Sequence, residues 1–239
     1  VAFQNLGGKC VFTSEWDKFA QKTYEANFGE IPSGDITQVD ASAIPKFDIL
    51  LAGFPCQPFS TIGKRQGFEH PTQGTLFYDV VRILAHHRPK AFLLENVSGL
   101  QNHDGGRTLD LIEKSLTELG YQFDYKVINA ARFGVPQQRE RIYIVGRRSK
   151  IAGKTNCDWP TGSNRIVGIG KFIKTGVTDH SISKHLQKVY IYKKDDGRPQ
   201  IVDKNSNFPI KTLVASYHKI QRLTGTFVKD GETGLRLLT

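Results

Sequence analysis

One of the three cysteines in this sequence is placed for chemistry. Cys56 lies in the segment GFPCQPFS at 53–60, directly after a buried apolar stretch and between two prolines that stiffen the loop. A thiol at the end of a strand is accessible and can act as a nucleophile. A lone cysteine is more often an inert buried residue, and that interpretation suits Cys10 and Cys157. Cys56 fits it poorly because its neighbours are typical of a loop.

Charged side chains follow two other predicted strands. Glu95, next to Asn96, comes after the apolar run 91–94. A carboxylic acid there can donate a proton, although a surface glutamate at a strand end would give the same pattern. Arg139 and Arg141 alternate and therefore share one side of a strand. Paired guanidinium groups bind phosphate, a carboxylate or a base oxygen, and the alternative is an edge-strand charge pattern.

Two acids occupy comparable positions early in the chain. Glu15 ends the predicted strand 9–14, where Rossmann-like folds place an acid on a ribose hydroxyl. Asp35 lies in the next such loop and could bind a nucleobase amino group. Each signal alone is weak, because a generic Rossmann-like binding protein carries similar acids.

Alternating strands and helices must position these residues. The hydrophobic pattern predicts strands at 9–14, 47–53, 91–94, 122–129 and 141–145, and helices at 17–28, 75–87 and 107–119. This order indicates the α/β class, with a Rossmann-like, largely parallel sheet and flanking helices. Such sheets bind ligands at the carboxyl ends of their strands, which is where the candidate residues fall.

The last third of the chain differs in charge and pattern. The net charge of the 239 residues is +10, of which residues 1–150 carry +2 and residues 151–239 carry +8. The excess suggests a polyanion such as nucleic acid, although a merely soluble basic surface fits equally well. Turn signals without a long helix predict a small, mostly β or irregular domain. No apolar run is long enough to span a bilayer, and no cysteine–histidine cluster has metal-ligand spacing.

Six short strings in order carry a family resemblance. They are SEWD at 14–17, GDI at 34–36, GFPCQPFS at 53–60, GTLF at 74–77, ENV at 95–97 and PQQRER at 136–141. Together they resemble the cytosine-5 DNA methyltransferases, close in pattern to HhaI-type bacterial restriction–modification enzymes. The resemblance is dense over 1–148 and thins beyond 150, as expected of the family's variable target-recognition domain. It returns at Thr212-Leu213 and at 236–239.

The resemblance implies an enzyme that transfers a methyl group from S-adenosylmethionine to C5 of a flipped-out cytosine in a specific DNA sequence. Cys56 would bond covalently to C6, Glu95 would hold and protonate N3, and Arg141 would bind the base oxygen. Arg139 would help to position the Cys56 loop. The residues implied for the cofactor are Glu15, Trp16, Asp35, Ile36, Pro55 and Leu76. Those implied for DNA are Gln57, Ser60, Asn96, Gln137, Thr212 and Leu213, and no metal is expected.

The resemblance also implies an organisation and a setting. Residues 1–149 would form the catalytic domain, 150–235 the target-recognition domain, and 236–239 the start of the return to the catalytic domain. The family's first strand and glycine-rich turn are expected outside these 239 residues, so the residues alone should bind S-adenosylmethionine poorly. The expected partner is double-stranded DNA, bound by a monomer in a bacterial cytoplasm without membrane attachment. A cognate restriction endonuclease acting on the same site is a candidate partner.

Three alternatives stay open at this point. An RNA cytosine methyltransferase of the same superfamily would carry a Cys-Phe-Thr string in its second domain, and this sequence lacks one. A catalytically silent DNA-binding relative would not need the Cys56, Glu95 and arginine set. An unrelated cysteine hydrolase would need a paired histidine, and no motif places His86, His87 or His103 in that role.

Overall fold

Residues 1–55, 76–149, 157–214 and 216–238 are described by a computed structural model. The chain divides into two units, the first made of Val1–Val127 and Ile142–Asp158 and the second of Ile128–Arg141 and Trp159–Thr239. Three of the predicted site residues, Cys56, Gln57 and Ser60, lie outside the described residues. Within those residues no helix combines the length and apolarity needed to cross a bilayer.

A four-stranded sheet organises the first unit. The strands are β1 (Ile49–Gly53), β2 (Ala91–Val97), β3 (Tyr121–Asn129) and β4 (Glu140–Arg148), in the order β1-β2-β4-β3. β1 and β2 run parallel, from the pair Ile49–Ala91 to the pair Gly53–Glu95. β4 runs against both of its neighbours, because its last residue donates to Lys90 O before β2 while Arg139, just before β4, accepts from Ala130 after β3. The sheet is therefore mixed, with β4 reversed.

Two amphipathic helices supply half of the buried residues in the apolar core of the first unit. α3 (Leu76–His87) and α4 (Arg107–Glu118) each bury one stripe of side chains at helical spacing. These join β2 and β4 in one apolar cluster that includes Phe77, Leu84, Phe92, Ile112 and Ile144. Burial of each such side chain stabilises the fold by about 1.5–3 kcal/mol. The packing is close: a Cβ at Gly146 would lie 2.1 Å from the ring of Phe92.

The helix boundaries follow local signals in the sequence. α2 (Lys18–Phe28) begins after Asp17, whose carboxylate accepts from the backbone N–H groups of Phe19 and Ala20, and it ends at Gly29 with φ 73°. The chain after α4 turns at Gly120, with φ 80°. A four-residue helix, α1 (Ala2–Asn5), precedes these elements. The helices predicted at 17–28 and 107–119 are confirmed within one residue.

Several predicted strands differ from those in the structure. Among the described residues, the segment predicted as a strand at 9–14 forms one parallel bridge, between Ser14 and Ser33, and no strand pairs along its length. β1 begins two residues later than predicted, and β4 extends one residue earlier and three residues further than predicted. β2 is three residues longer than predicted, since β1 continues the ladder as far as Glu95. Glu95 is consequently part of the strand and does not follow it.

Short elements and two small cores build the second unit. β5 (Gln200–Val202) and β6 (Thr226–Val228) form a parallel pair, and α5 (Lys184–Leu186) leads into one π-helical turn at Gln187–Ile191. One core gathers Ile169, Val202, Ile210 and Val228, and the other gathers Ile182, Ile191, Phe227 and Leu235. The prediction of a mostly β or irregular region agrees with these elements.

Candidate active site

The carboxyl ends of β1 and β2 hold the start of the loop that leads to Cys56. Gly53 pairs with Glu95, and the N–H of Phe54 donates to the carbonyl of Glu95 at 3.4 Å. Asn96 is buried, and its Nδ2 donates to the carbonyl of Phe54 at 2.8 Å. The exposed Pro55 follows as the last described residue before Cys56. The exit of the chain from β1 is thus fixed beside Glu95 by three successive contacts.

Asn96 has a positioning role that the sequence did not suggest. Its Nδ2 holds Phe54, and its Oδ1 accepts from the N–H of Val97 at 2.8 Å, so both ends of the amide are engaged. Only 2% of the residue is exposed. The DNA contact expected of Asn96 stays a prediction, while its hydrogen bonds hold the backbone at Phe54, two residues before Cys56.

Two acids are brought together by the bridge between Ser14 and Ser33. The N–H of Glu15 donates to Ser33 O at 2.8 Å, and Ser14 Oγ donates to Gly34 O at 2.6 Å, so the two loops leave side by side. One oxygen of Glu15 accepts from the N–H of Asp17, and one oxygen of Asp35 accepts from the N–H of Thr37. Among the described residues, no hydrogen bond is made to the second oxygen of either carboxylate. Each acid is oriented by its own backbone and can still accept from a ligand.

Apolar side chains complete this region. Trp16 is 75% exposed, Ile36 is half-buried, and Leu76, at the start of α3, packs against the core. α3 also braces the loop after Asp35, since the guanidinium of Arg82 donates to Ile36 O while it pairs with Asp79. Two oriented carboxylates beside an unpacked indole suit a nucleoside, which offers hydroxyl and amino donors and a flat ring. These two acceptors and the indole ring fit the nucleoside portion of S-adenosylmethionine.

The two predicted catalytic arginines lie at the start of β4, in the second unit. Both are half-buried and share one side of the chain at period two, as the sequence predicted. Arg141 Nη1 donates to the carbonyl of Glu140 at 2.7 Å. The backbone of Arg139 is held by Asn129, whose Oδ1 accepts from the N–H groups of Ala131 and Arg139 at 3.0 and 3.2 Å. Asn129 therefore joins the two ends of the connection between β3 and β4.

The segment around Thr212 is attached to the residues that precede Arg139. Gln137 forms a parallel bridge with Ile210, and Gln138 N–H donates to Ile210 O at 2.8 Å. Thr212 Oγ1 donates to Gln138 O at 2.6 Å. Leu213, next in the chain, is 37% exposed. The residues predicted to contact DNA at 137 and at 212–213 are consequently neighbours within the second unit.

Two supporting positions were not recognised from the sequence. Asn129 was predicted only as the end of a strand. Gln200 begins β5, yet its side chain accepts from the N–H of Lys211 and from Thr226 Oγ1, at 3.0 and 2.8 Å, and so supports the segment that leads to Thr212. An asparagine followed by a turn could have indicated the first, because asparagine caps turns through its side chain. Nothing local could have indicated the second, since its partners lie 11 and 26 residues away.

The sequence of this chain matches those of known proteins along its whole length. A sequence model for C-5 cytosine-specific DNA methylase matches residues 1–239. Type II methyltransferase M.MspI of Moraxella sp is 54% identical over 238 residues, which cover 100% of this chain and 56% of that protein. Type II methyltransferase M.BsuFI of Bacillus subtilis is 55% identical over 240 residues, covering 100% of this chain and 58% of that protein. The chain thus spans a little over half the length of these two relatives.

The fold is also shared with a solved structure. A DNMT2 mutant from Spodoptera frugiperda superimposes with a TM-score of 0.73 at 20% identity, over 100% of this chain and 81% of that one. This likeness, together with the sheet and its flanking helices, confirms the predicted Rossmann-like α/β class. Because the family match extends over all 239 residues, the chain belongs to the C-5 cytosine-specific DNA methylase family.

Proposed function

We propose that this chain carries the catalytic residues of an enzyme that transfers a methyl group from S-adenosylmethionine to C5 of cytosine in double-stranded DNA. The observation that carries the proposal is the register of two strands. Gly53 faces Glu95 across β1 and β2, so the chain leaves β1 toward Cys56 at the level of that carboxylate. A thiol nucleophile and a carboxylic acid are the pair that activation of a pyrimidine ring requires. Family membership supports DNA cytosine as the substrate.

The proposed chemistry begins with Cys56, because C5 of cytosine is too weak a nucleophile to be methylated directly. The Cys56 thiolate bonds to C6 while Glu95 gives a proton to N3, and the electron pair of the C5–C6 double bond moves into the ring as a C4–C5 double bond. C5 is then nucleophilic. Bound S-adenosylmethionine supplies an electrophilic methyl group. Loss of the C5 proton, departure of the Cys56 thiolate and return of the N3 proton to Glu95 restore the aromatic ring.

Arginines and base flipping complete the proposal for the target base. Arg141 would bind the cytosine oxygen, and Arg139 would hold the Cys56 loop. Their half-buried positions at the start of β4 support this, since a partly desolvated guanidinium makes stronger hydrogen bonds. C5 and C6 cannot be reached inside a duplex, so the cytosine must leave the base stack.

The cofactor would lie against the first unit. In this proposal Glu15 binds the ribose hydroxyls and Asp35 binds the adenine amino group. Trp16 and Ile36 would lie on the two faces of the adenine. Pro55 and Leu76 would line the same pocket. The orientation of both carboxylates by their own backbone supports these roles, because a preordered acceptor loses little conformational freedom when the ligand binds.

We propose that residues 150–235 are the target-recognition domain and 1–149 the catalytic domain, with 236–239 beginning the return. The net charge of +8 on residues 151–239 supports DNA contact by the former, with Thr212 and Leu213 near the flipped base and Gln57, Ser60, Asn96 and Gln137 as further contacts. Grafting 150–235 from a relative of different specificity should transfer that specificity. An active chimera that kept the original recognition site would contradict the assignment.

The biological setting proposed here follows from the relatives. Those described above are Type II methyltransferases of Moraxella sp and Bacillus subtilis, so we place this enzyme in a bacterial cytoplasm as a monomer on DNA. A restriction endonuclease that cuts the same unmethylated site is its candidate partner.

The direct test is transfer of labelled methyl groups by the full-length enzyme. Duplex DNA of mixed sequence should be labelled at C5 of cytosine in one short sequence context. RNA of the same sequence is the control, because an RNA methyltransferase of the same superfamily would label it instead. Labelled RNA with unlabelled DNA would overturn the proposal.

A further inference from the structure

A basic loop in the second unit is held by an arginine that none of the catalytic proposals uses. The loop spans residues 192–198, with the sequence YKKDDGR, and all seven residues are exposed. It carries three cations, Lys193, Lys194 and Arg198, and Tyr192 is 54% exposed. The loop leads through Pro199 into β5, which supports the Thr212 segment through Gln200.

Arg222 reaches this loop from a distant part of the chain. Only 7% of Arg222 is exposed. Its guanidinium forms a two-pronged contact with the carboxylate of Asp196, at 2.6 and 3.0 Å. It also donates to the carbonyl of Lys194 at 2.8 Å and to that of Ile191 at 3.1 Å. One side chain thus holds the chain at three points between Ile191 and Asp196.

These contacts determine both the shape and the charge of the loop. The planar guanidinium imposes its geometry on every acceptor, which a flexible ammonium group cannot do. Asp196 is neutralised, and its pKa is held below the ordinary value by the hydrogen bond from Arg222. Asp196 also accepts a hydrogen bond from the N–H of Arg198 at 3.1 Å, which closes the turn at Gly197. The outer surface of the loop therefore carries three cationic side chains and one anionic side chain, that of Asp195.

Two of the three cations share a shallow concavity with an aromatic ring. Tyr192, Lys194 and Arg198 line it, together with Asp195 and Gly197, and Pro199 and Ile201 form its floor. A phosphodiester backbone offers anionic oxygens to such cations and sugar faces to such a ring.

We propose that Arg222 is a positioning residue that holds loop 192–198 in the shape in which Lys193, Lys194 and Arg198 meet DNA phosphates. The inference rests on the proposed function, which supplies DNA as the polyanion. It adds a second DNA-contacting segment to the one around Thr212 and identifies the side chain that orders it. Arg222 touches no reacting atom in this account, so its effect falls on DNA affinity.

The first arm of the test removes the cations. Log affinity for duplex DNA falls linearly with log salt, with a slope of about −0.9 per phosphate contact. In the full-length enzyme, Lys193→Ala/Lys194→Ala should make this slope less steep by about 2. Lys18→Ala/Lys22→Ala on α2, which loses the same charge from exposed lysines of the first unit, is the matched control and should leave the slope unchanged. An unchanged slope in the loop variant of an active enzyme would overturn the inference.

The second arm of the test weakens the hydrogen bonds from Arg222 to the loop but keeps the positive charge at that position. Arg222→Lys should raise KM for DNA by about tenfold, the equivalent of one to two phosphate contacts, with kcat at saturating DNA within about twofold. Trypsin should cut the variant faster after Lys193 and Lys194. Arg165→Lys, at an exposed position of the same unit, should change neither property. A fall in kcat as large as the rise in KM would show a general structural defect and overturn the inference. If the unsubstituted enzyme methylated no DNA, the proposed function itself would fail.

Discussion

The two units of this chain are stabilised in different ways. The first has one continuous apolar cluster of fourteen buried residues between a sheet and its helices. The second has two clusters of four, and its loops are tied by buried polar side chains. Arg236, 2% exposed, pairs with Asp230 at 3.0 Å and donates to Lys174 O at 2.7 Å. Arg222 does the same for the loop at 192–198.

This difference suits the two tasks proposed for the units. Catalysis needs side chains held on regular strands, and a large apolar core keeps β1 and β2 in register. Recognition needs irregular loops whose sequence can change while the framework stays. Clamps that bind backbone carbonyls, as Arg222 and Arg236 do, hold a loop without dictating its exposed side chains. Changes in the first unit and at Arg139 and Arg141 should therefore affect the reaction, and changes elsewhere in the second unit should affect DNA affinity and stability toward acid.

The largest effect is expected at Glu95. Glu95→Gln should lower methyl transfer by about 10²- to 10⁴-fold, because an amide cannot give a proton to N3. DNA affinity should be nearly unchanged, which single-turnover kinetics and a binding assay would show together. Glu113→Gln, exposed on α4, is the control. A wild-type rate in the Glu95 variant would remove the carboxylic acid from the mechanism.

The apolar core of the first unit gives the next effect. Leu84 is fully buried on α3, and Leu84→Ala should lower the free energy of unfolding by about 2–5 kcal/mol through lost burial and a cavity. The loss should be the same at neutral and acid pH, since no charge is involved. Urea unfolding measures this loss. Leu51→Ala on β1 is the control, because Leu51 is 49% exposed and should lose less. Equal losses in the two variants would contradict the description of the core.

Acid should weaken the second unit through Asp230. A hydrogen bond from Arg236, together with hydrogen bonds from backbone N–H groups, lowers the pKa of Asp230 from 3.8 to about 2. The stabilisation is therefore complete above about pH 3.8 and is lost as the pH falls toward 2. Urea unfolding can be followed by the fluorescence of Trp159, which lies in the second unit, once Trp16→Phe has removed the other tryptophan. Asp230→Asn should be less stable than the parent at pH 5 and equal to it near pH 2, whereas Asp179→Asn should match the parent at both. A constant difference between parent and Asp230→Asn would refute the linkage.

The smallest effect is expected from single phosphate contacts in the second unit. Lys219→Ala should weaken binding to all DNA sequences alike and lower the salt slope by about 0.9. Affinity for S-adenosylmethionine should not change, which calorimetry can verify on the same preparation. Lys22→Ala on α2 loses the same charge from the first unit and should bind DNA as the parent does. A change in sequence preference at position 219 would indicate base readout in place of phosphate contact.

The sequence predicted those parts of the fold whose causes are local. The cap at Asp17 and the turn at Gly120 set helix ends through neighbouring backbone groups, so their signals lie within a few residues. The strand predicted at 9–14 was wrong because a strand requires a partner, and among the described residues only Ser14 forms a bridge. Its residue pattern was apolar enough, but pairing is not a property of the segment itself.

The candidate site was predictable to the extent that motifs carry it. The strings around Glu15, Asp35, Glu95 and Arg139 located positions that the fold then brought to strand ends or loops. The supporting residues were not predictable, because Arg222 meets Asp196 across 26 positions and Gln200 meets Lys211 across 11. Ordinary polar residues acquire such roles only when the chain is folded.

Cys56 is the residue on which the proposed function depends most, and covalent trapping tests it directly. Duplex DNA with 5-fluorocytosine at the target position should form a stable adduct with the full-length enzyme and S-adenosylmethionine, because fluorine cannot leave C5 as a proton does. Mass spectrometry should find the DNA bonded to the peptide that contains Cys56, and Cys56→Ala should give no adduct while it still binds DNA. An adduct formed by Cys56→Ala, or one mapped to another residue, would contradict the proposed mechanism.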